Sequence, residues 1–309
     1  MNGKSRAGLL ALAATLPLSA VSIPAEAAPV SPRPATSAAA PRTGLEALAA
    51  KGADSKNRTV IFIHGFQIGQ KADCYGMWKK SIDFFRSQGW AKKNLITWGY
   101  YKNNTHCTSK YKGSTMSDLG NVGAALNKYI RTNFTDKGKK VDVVAHSTGS
   151  LIIRNAIIQS HLRPGKLYVE DVVTLGTPHD GSKWGHACNA TQCKQLRPGS
   201  DFIKGLNHFS TKAKRYHEGD GGTNWTLVGS YLDGVTSAES GTSKNVYAKH
   251  RILYPKSERV GHPDYYQTGT GEGWTYYRSN NYSQNYHKVT TSAGPIRMAY
   301  RGAYYHSKW

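Results

Sequence analysis

Acidic side chains are scarce in this chain of 309 residues: 19 Asp and Glu face 41 Lys and Arg, for a formal charge of +22. Such a field favours anionic surfaces such as acidic lipid, cell-wall polymer or nucleic acid. The basic residues are scattered, however, and no nucleic-acid-binding motif is present, which argues against nucleic acid. Cysteine is sparse too. None of Cys74, Cys107, Cys188 and Cys193 has CxxC spacing with a matching partner, which argues against a zinc site. The only extended apolar run, Ala7 to Val21, is short, and Pro17 and Pro24 interrupt it and its flank, so a membrane anchor is not expected. No internal repeat and no peptide-binding signature is visible.

What is present points to export. Lys4 and Arg6 precede the apolar run, and Ala25-Glu26-Ala27 offers small residues for cleavage near Ala27 or Ala28, so residues 1–28 read as a signal peptide. Residues 29–57 begin Pro/Ala/Ser-rich and read as a flexible leader. The catalytic domain is then expected over 58–309, and a hydrophobic content of 39% is enough for a sizeable core. In an oxidising compartment four cysteines allow three pairings; sequence proximity favours Cys74–Cys107 and Cys188–Cys193. The expected location is extracellular, with no membrane segment after processing, and a monomer is expected.

The centre of the chain is Val141-Asp142-Val143-Val144-Ala145-His146-Ser147-Thr148-Gly149. A β-branched run suits a parallel strand covered on both faces. After Ser147 the apolar residues Leu151, Ile152, Ala156 and Ile158 recur at helical spacing, so the period changes across one serine. That is the layout of a nucleophile elbow, in which the serine hydroxyl projects above the sheet and the next backbone N–H is free to bind an oxyanion. Small residues are needed two places either side of the serine, and Ala145 and Gly149 supply them.

The flanking chain alternates strand and helix. Strands are expected at 59–63, 95–98, 169–175, 225–230 and, last, 250–254; helices at 76–89 and 118–134. This is the rhythm of an open, mostly parallel α/β sheet, which binds ligands at the carboxyl ends of its strands. His64-Gly65-Phe66 ends the first strand, placing the Phe66 N–H as one oxyanion donor and that of Thr148 as the other; His64 itself reads as a structural hydrogen-bonding residue. The acid should follow a strand, as Asp233 does; Asp220 lies at the wrong end, and Asp201 and Glu239 are weaker candidates. The base should follow the acid on a loop, which selects His262 over His250, His287 and His306. Residues 182–224 lack a clear strand and read as an insertion, either a lid over the site or a surface loop.

With these pieces placed, the chain resembles the secreted class 2 triacylglycerol lipases and esterases of Gram-positive bacteria, of the α/β-hydrolase fold. The likeness rests on VIFIHGF at 60–66, VDVVAHSTG at 141–149, VVTLGTPHDGS at 172–182, TQCKQLRPGSDF at 191–202 and RVGH at 259–262. The resemblance implies a reduced sheet, Ser147 as nucleophile, His262 as base, Asp233 as orienting acid, and Phe66 and Thr148 as oxyanion donors. It implies an ester or lipid substrate met at an oil–water or polymer surface, and no organic cofactor or catalytic metal. A calcium site stays open, with Asp180 and Asp201 as oxygen ligands. A short-chain esterase or polyester depolymerase would use the same site, and a non-catalytic cationic surface-binding protein is the rival from another class. The aromatic, basic tail, 263–309, holds nine of the nineteen tyrosines; it either packs on the sheet edge or forms an aromatic platform for a polymer or lipid surface.

Overall fold

The structure is a computed structural model that describes residues 55–161, 167–212 and 222–305. The expected signal peptide, most of the leader, Asp220, His306 and Trp309 lie outside the described residues.

Seven parallel strands form the body of the sheet: β1 (Thr59–Ile63), β2 (Leu95–Gly99), β3 (Ser109–Lys110), β4 (Val141–His146), β5 (Val169–Leu175), β6 (Asn224–Ser230) and β7 (His250–Tyr254). Two antiparallel strands, β8 (Trp274–Asn280) and β9 (His287–Ser292), complete one edge, giving the order β3-β2-β1-β4-β5-β6-β7-β8-β9. The architecture is that of an α/β-hydrolase. The register brings the carboxyl ends of the central strands level. Ile63 lies beside Ala145, Ala145 beside Thr174, Leu175 beside Val228 and Ser230 beside Tyr254. The loops after β1, β4, β5, β6 and β7 therefore leave the sheet along one rim.

Helices cover both faces, which is why the strands are continuous apolar runs and not alternating ones. On one face α2 (Leu119–Asn133) and α3 (Thr148–His161) pack over Ile61, Ile63, Val141, Val143, Trp225 and Leu227. On the other, α1 (Cys74–Ser87) and α7 (Pro295–Tyr304) pack over Val60, Phe62, Val144, Val173, Val228 and Ile252. Neighbouring residues of one strand thus serve different cores, and covering each Val or Ile fully contributes roughly 1.5–3 kcal/mol. Helix α1 starts at Cys74, ahead of the expected Gly76, because the Asp73 carboxylate accepts from the Gly76 N–H at 2.8 Å and caps the helix there. Helix α2 is capped likewise by Asp118 and buries Leu119, Val122, Leu126 and Ile130, as its periodicity requires.

Disulfides join Cys74 to Cys107 and Cys188 to Cys193. The described part of the insertion holds two helices, α4 (Thr191–Leu196) and α5 (Asp201–Lys212); a short helix, α6 (Ala238–Gly241), follows β6. The tail departs most from the sequence reading, which ended the sheet at Tyr254. It adds β8, β9 and α7, and it buries Tyr265, Tyr266, Tyr276 and Tyr300 in the second core. Those four residues are buried. Helix α7 lies so close to the sheet that a Cβ on Gly302 would come within 2.6 Å of Val173 Cγ2.

Candidate active site

Strand β4 ends at His146, α3 starts at Thr148, and Ser147 alone makes the turn between them, at φ 52°. A non-glycine residue in that left-handed region carries strain on the order of 1–3 kcal/mol, tolerated only where the surroundings hold it. Here the Ser147 N–H donates to Leu175 O at 2.9 Å, the Ser150 N–H to Ser147 O at 3.1 Å, and the Ser150 hydroxyl to Ala145 O at 2.9 Å. The close approach expected at Gly149 is present: a Cβ there would lie 2.4 Å from His64 O and 2.8 Å from Ile63 O. The loop carrying Phe66 is thereby pressed against the elbow.

Beyond β6, Ser230 accepts from the Leu232 N–H and turns the chain so that Asp233 points inward. Asp233 Oδ1 accepts from the Val235 and Thr236 N–H groups at 2.8 and 2.9 Å. His262 Nδ1 lies 3.0 and 2.9 Å from the two carboxylate oxygens. A carboxylate only accepts, so Nδ1 carries the hydrogen and Nε2 is left with a free lone pair, a tautomer assigned from the hydrogen-bond network. The Asp233 side chain is fully buried, whereas that of His262 is 16% exposed. The pair is therefore shielded on the acid's side and open on the imidazole's.

Two further residues near this pair were not singled out from the sequence. His146 Nε2 donates to the His262 carbonyl at 2.8 Å, and its ring centroid lies 4.5 Å from that of His262. Burial, reinforced by the neighbouring His262, pushes the His146 pKa well down, so His146 is neutral. Tyr265 is buried against Gly176 beside Asp233; burial and the Asp233 charge push its phenol well up and keep it protonated. The signals that could have found them are positional: one directly precedes the serine and the other follows His262 by three residues.

The Phe66 and Thr148 backbone N–H groups donate to no other protein group among the described residues. Thr148 opens α3, where the helix dipole adds partial positive charge. His64 takes no part in the Asp–His pair. Its Nδ1 lies 2.7 Å from Gly65 O and its Nε2 3.1 Å from Asn104 Oδ1, two acceptors of which a neutral ring donates to one; it stacks on Tyr100 at 4.5 Å, and burial lowers its pKa. That is the structural role the sequence suggested. Among the described residues the Ser147 hydroxyl makes no hydrogen bond; such contacts often tighten only when substrate is bound.

The sequence from 57 to 255 matches a family model described as Lipase (class 2), about two-thirds of the chain. The chain belongs to the class 2 lipase family. The order and helical cover of the sheet described above agree with that membership. The matched stretch contains Phe66, Ser147, Thr148 and Asp233; His262 lies beyond its end. No curated protein matches the sequence significantly.

Among solved structures this class 2 lipase is similar to phospholipase PlaB from Legionella pneumophila in complex with thio-NAD, with 16% identity and a TM-score of 0.47. That match covers 60% of this chain and 44% of that one. It is also similar to the lipase BlEst2 from Bacillus licheniformis in propeptide form, at 19% identity and TM-score 0.42, over 64% of this chain and 46% of the other. A third is the lin2722 gene product from Listeria innocua, at 11% identity and TM-score 0.47, over 69% and 89% of the two chains. The class 2 lipase thus spans less than half the length of the first two.

The other candidates fall elsewhere in the class 2 lipase. Asp201 is fully exposed at the start of α5, near Lys204, and Glu239 is exposed on α6. His250 lies within β7 and bonds Asn280 at 2.8 Å, and His287 is exposed on β9. Asp180 Oδ1 accepts from Asn207, Ser243 and Asn245, and so joins three segments of chain. Among the described residues no three His, Cys, Asp or Glu side chains converge as a metal site.

Proposed function

We propose that the protein is a secreted lipase that hydrolyses carboxylic esters through an acyl-enzyme on Ser147. The observation that carries this reading is the buried Asp233 carboxylate on His262 Nδ1, 2.9 Å away, with the strained Ser147 on the same rim. His262 Nε2 removes the hydroxyl proton as Ser147 Oγ attacks the ester carbonyl. Asp233 holds the imidazole in the required tautomer and stabilises its charged form. The Phe66 and Thr148 N–H groups face the developing oxyanion, a contribution of several kcal/mol in such sites. His262 then protonates the leaving alcohol, and water, activated by the same imidazole, releases the acid.

A lipid surface is the favoured substrate setting because of what surrounds the rim. Ile68, Met116, Trp184, Tyr231 and Leu232, five large side chains exposed to solvent, all lie on segments that follow the carboxyl ends of parallel strands. Apolar exposure on the loops of one rim suits contact with an apolar phase more than capture of a small soluble ester. Two disulfides and the basic, apolar, small-residue pattern of the first 28 residues support secretion with cleavage of that segment. The insertion that contains Trp184 would act as the wall or lid on the acyl side.

The test is initial rate on p-nitrophenyl esters from short to long acyl chains and on triglyceride emulsions, for the native protein and Ser147→Ala. The expected result is a rate that extends to long-chain emulsions and falls by about 10⁴-fold or more in the variant. A serine-dependent rate confined to short soluble esters would replace the lipase by an esterase. A rate unchanged in Ser147→Ala would end the proposal.

A further inference from the structure

The segment beyond residue 255, outside the family match, carries a second feature, remote in sequence from Ser147. A cavity of about 520 Å³ opens between β8, β9 and α7. Three guanidinium groups line it: Arg278 from β8, and Arg297 and Arg301 from α7. Arg297 and Arg301 are one helical turn apart, a spacing at which like charges destabilise a helix. A single carboxylate stands between them, with Glu272 Oε1 at 3.4 Å from Arg297 Nη1 and 2.8 Å from Arg301 Nη2. Arg278 approaches from the sheet side. Its Nε lies 3.4 Å from His287 Nε2, and among the described residues it has no carboxylate partner. Three cations and one anion leave two positive charges unbalanced around the opening.

The heads of the helix arginines are fixed before any ligand arrives. Arg297 Nε donates to Thr270 O at 2.8 Å, and its guanidinium lies over the Phe84 ring at 5.1 Å. Arg301 Nη1 donates to Ser292 Oγ at 3.1 Å. Ordering a long side chain is a main cost of using it in binding, so anchored arginines are suited to grip an anion.

We propose that this cavity is a binding site for a phosphate group. A phosphate dianion matches the two unbalanced charges, and its oxygens suit the forked donors of arginine, whereas a monocarboxylate would leave one charge uncompensated. The volume admits the phosphate with a small esterified group attached. A soluble phosphate monoester and the headgroup of phosphatidic acid, which is also a monoester, present the same chemistry here. The proposal stands apart from the ester-hydrolase reading, because its readout is binding and not turnover.

The experiment is calorimetric titration of the full-length protein with inorganic phosphate at low ionic strength, beside Arg278→Gln and Glu272→Gln. The native protein is expected to bind one phosphate saturably. Arg278→Gln should weaken binding about tenfold, as loss of one charge-assisted contact implies, and Glu272→Gln should tighten it by removing the competing carboxylate. Circular dichroism of each variant checks its fold, and Glu272→Gln keeps the test alive if Arg278→Gln misfolds. No saturable heat in the native protein, or equal affinities in all three folded proteins, would overturn the site. Glycerol phosphate and sedimentation with phosphatidic acid vesicles separate the sources. Glycerol phosphate binding without vesicle binding supports a soluble ester, and vesicle binding lost in Arg278→Gln supports a headgroup. Vesicle binding untouched by Arg278→Gln, together with no phosphate binding, also overturns it.

Discussion

Two kinds of structure meet at the rim. The elbow at Ser147 is held by backbone geometry: a strand, a helix and hydrogen bonds that mostly join main-chain atoms. The segments carrying Asp233 and His262 are loops after β6 and β7, and contacts between side chains and main chain hold them together. The difference separates stability from alignment. Disturbing the elbow should disturb the fold, since β1, β4, β5 and α3 all converge on it. Disturbing the loop contacts should leave the fold intact while misplacing one imidazole.

The sharpest test of that contrast is Asp233→Asn, which keeps shape but offers the wrong hydrogen-bonding group to His262 Nδ1. The expected loss in kcat is about 10⁴-fold, by analogy with an acid removed from such a triad, with melting temperature little changed. A parallel collapse in melting temperature would show that the acid serves the fold. Next comes His146→Leu, which removes the donor to the His262 carbonyl and keeps bulk. About 10²-fold should be lost from kcat, the effect expected of a small misplacement, with KM little altered. An unchanged kcat would mean that the loop aligns without it.

Acid stability probes the same boundary. His64 and His146 both have depressed pKa values in the fold, so below about 6.5 the unfolded chain binds protons that the native chain does not. Their stabilisation is therefore fully present above that pH and lost as pH falls below it, by up to about 1.4 kcal/mol per pH unit for each group. Denaturant titrations from pH 7.5 to 5 should show this slope, and a flat profile would mean that the rings bind protons in the fold as readily as in the unfolded chain. The smallest effect is expected from Tyr265→Phe, which keeps the ring on Gly176 and removes only a hydroxyl. A change in kcat of less than about tenfold is expected, since among the described residues that hydroxyl makes no hydrogen bond to lose.

Most of the elbow region could be read in the sequence because its signals are local. A valine run, a period change at Ser147 and small residues at 145 and 149 specify strand, turn and helix with no distant information. Asp233 and His262 could be picked out through chain order and the strand before each, which is weaker information, yet the structure brings the two together. His146 and Tyr265 were marked only by their places near Ser147 and His262, since the groups they meet lie on other segments. The tail was the least legible. In β9 the strand faces solvent and lacks apolar alternation, and in β8 aromatic residues lie on both faces, so neither has a strong strand pattern. Helix α7 does bury Ile296, Ala299, Tyr300 and Ala303 at helical spacing, but the bordering tyrosines blur that stripe, and no helix is expected there from the sequence.

The last described helix has a bearing on how the molecule comes into being. Helix α7 packs near the middle of the sheet, with Gly302 close against Val173 and Tyr300 edge-on to Phe85 and Trp90. Until the ribosome has released those residues, the part of the second core that lies under α7, including Val173, lacks that cover. A product truncated before residue 295 would expose that part of the core while retaining Ser147, Asp233 and His262.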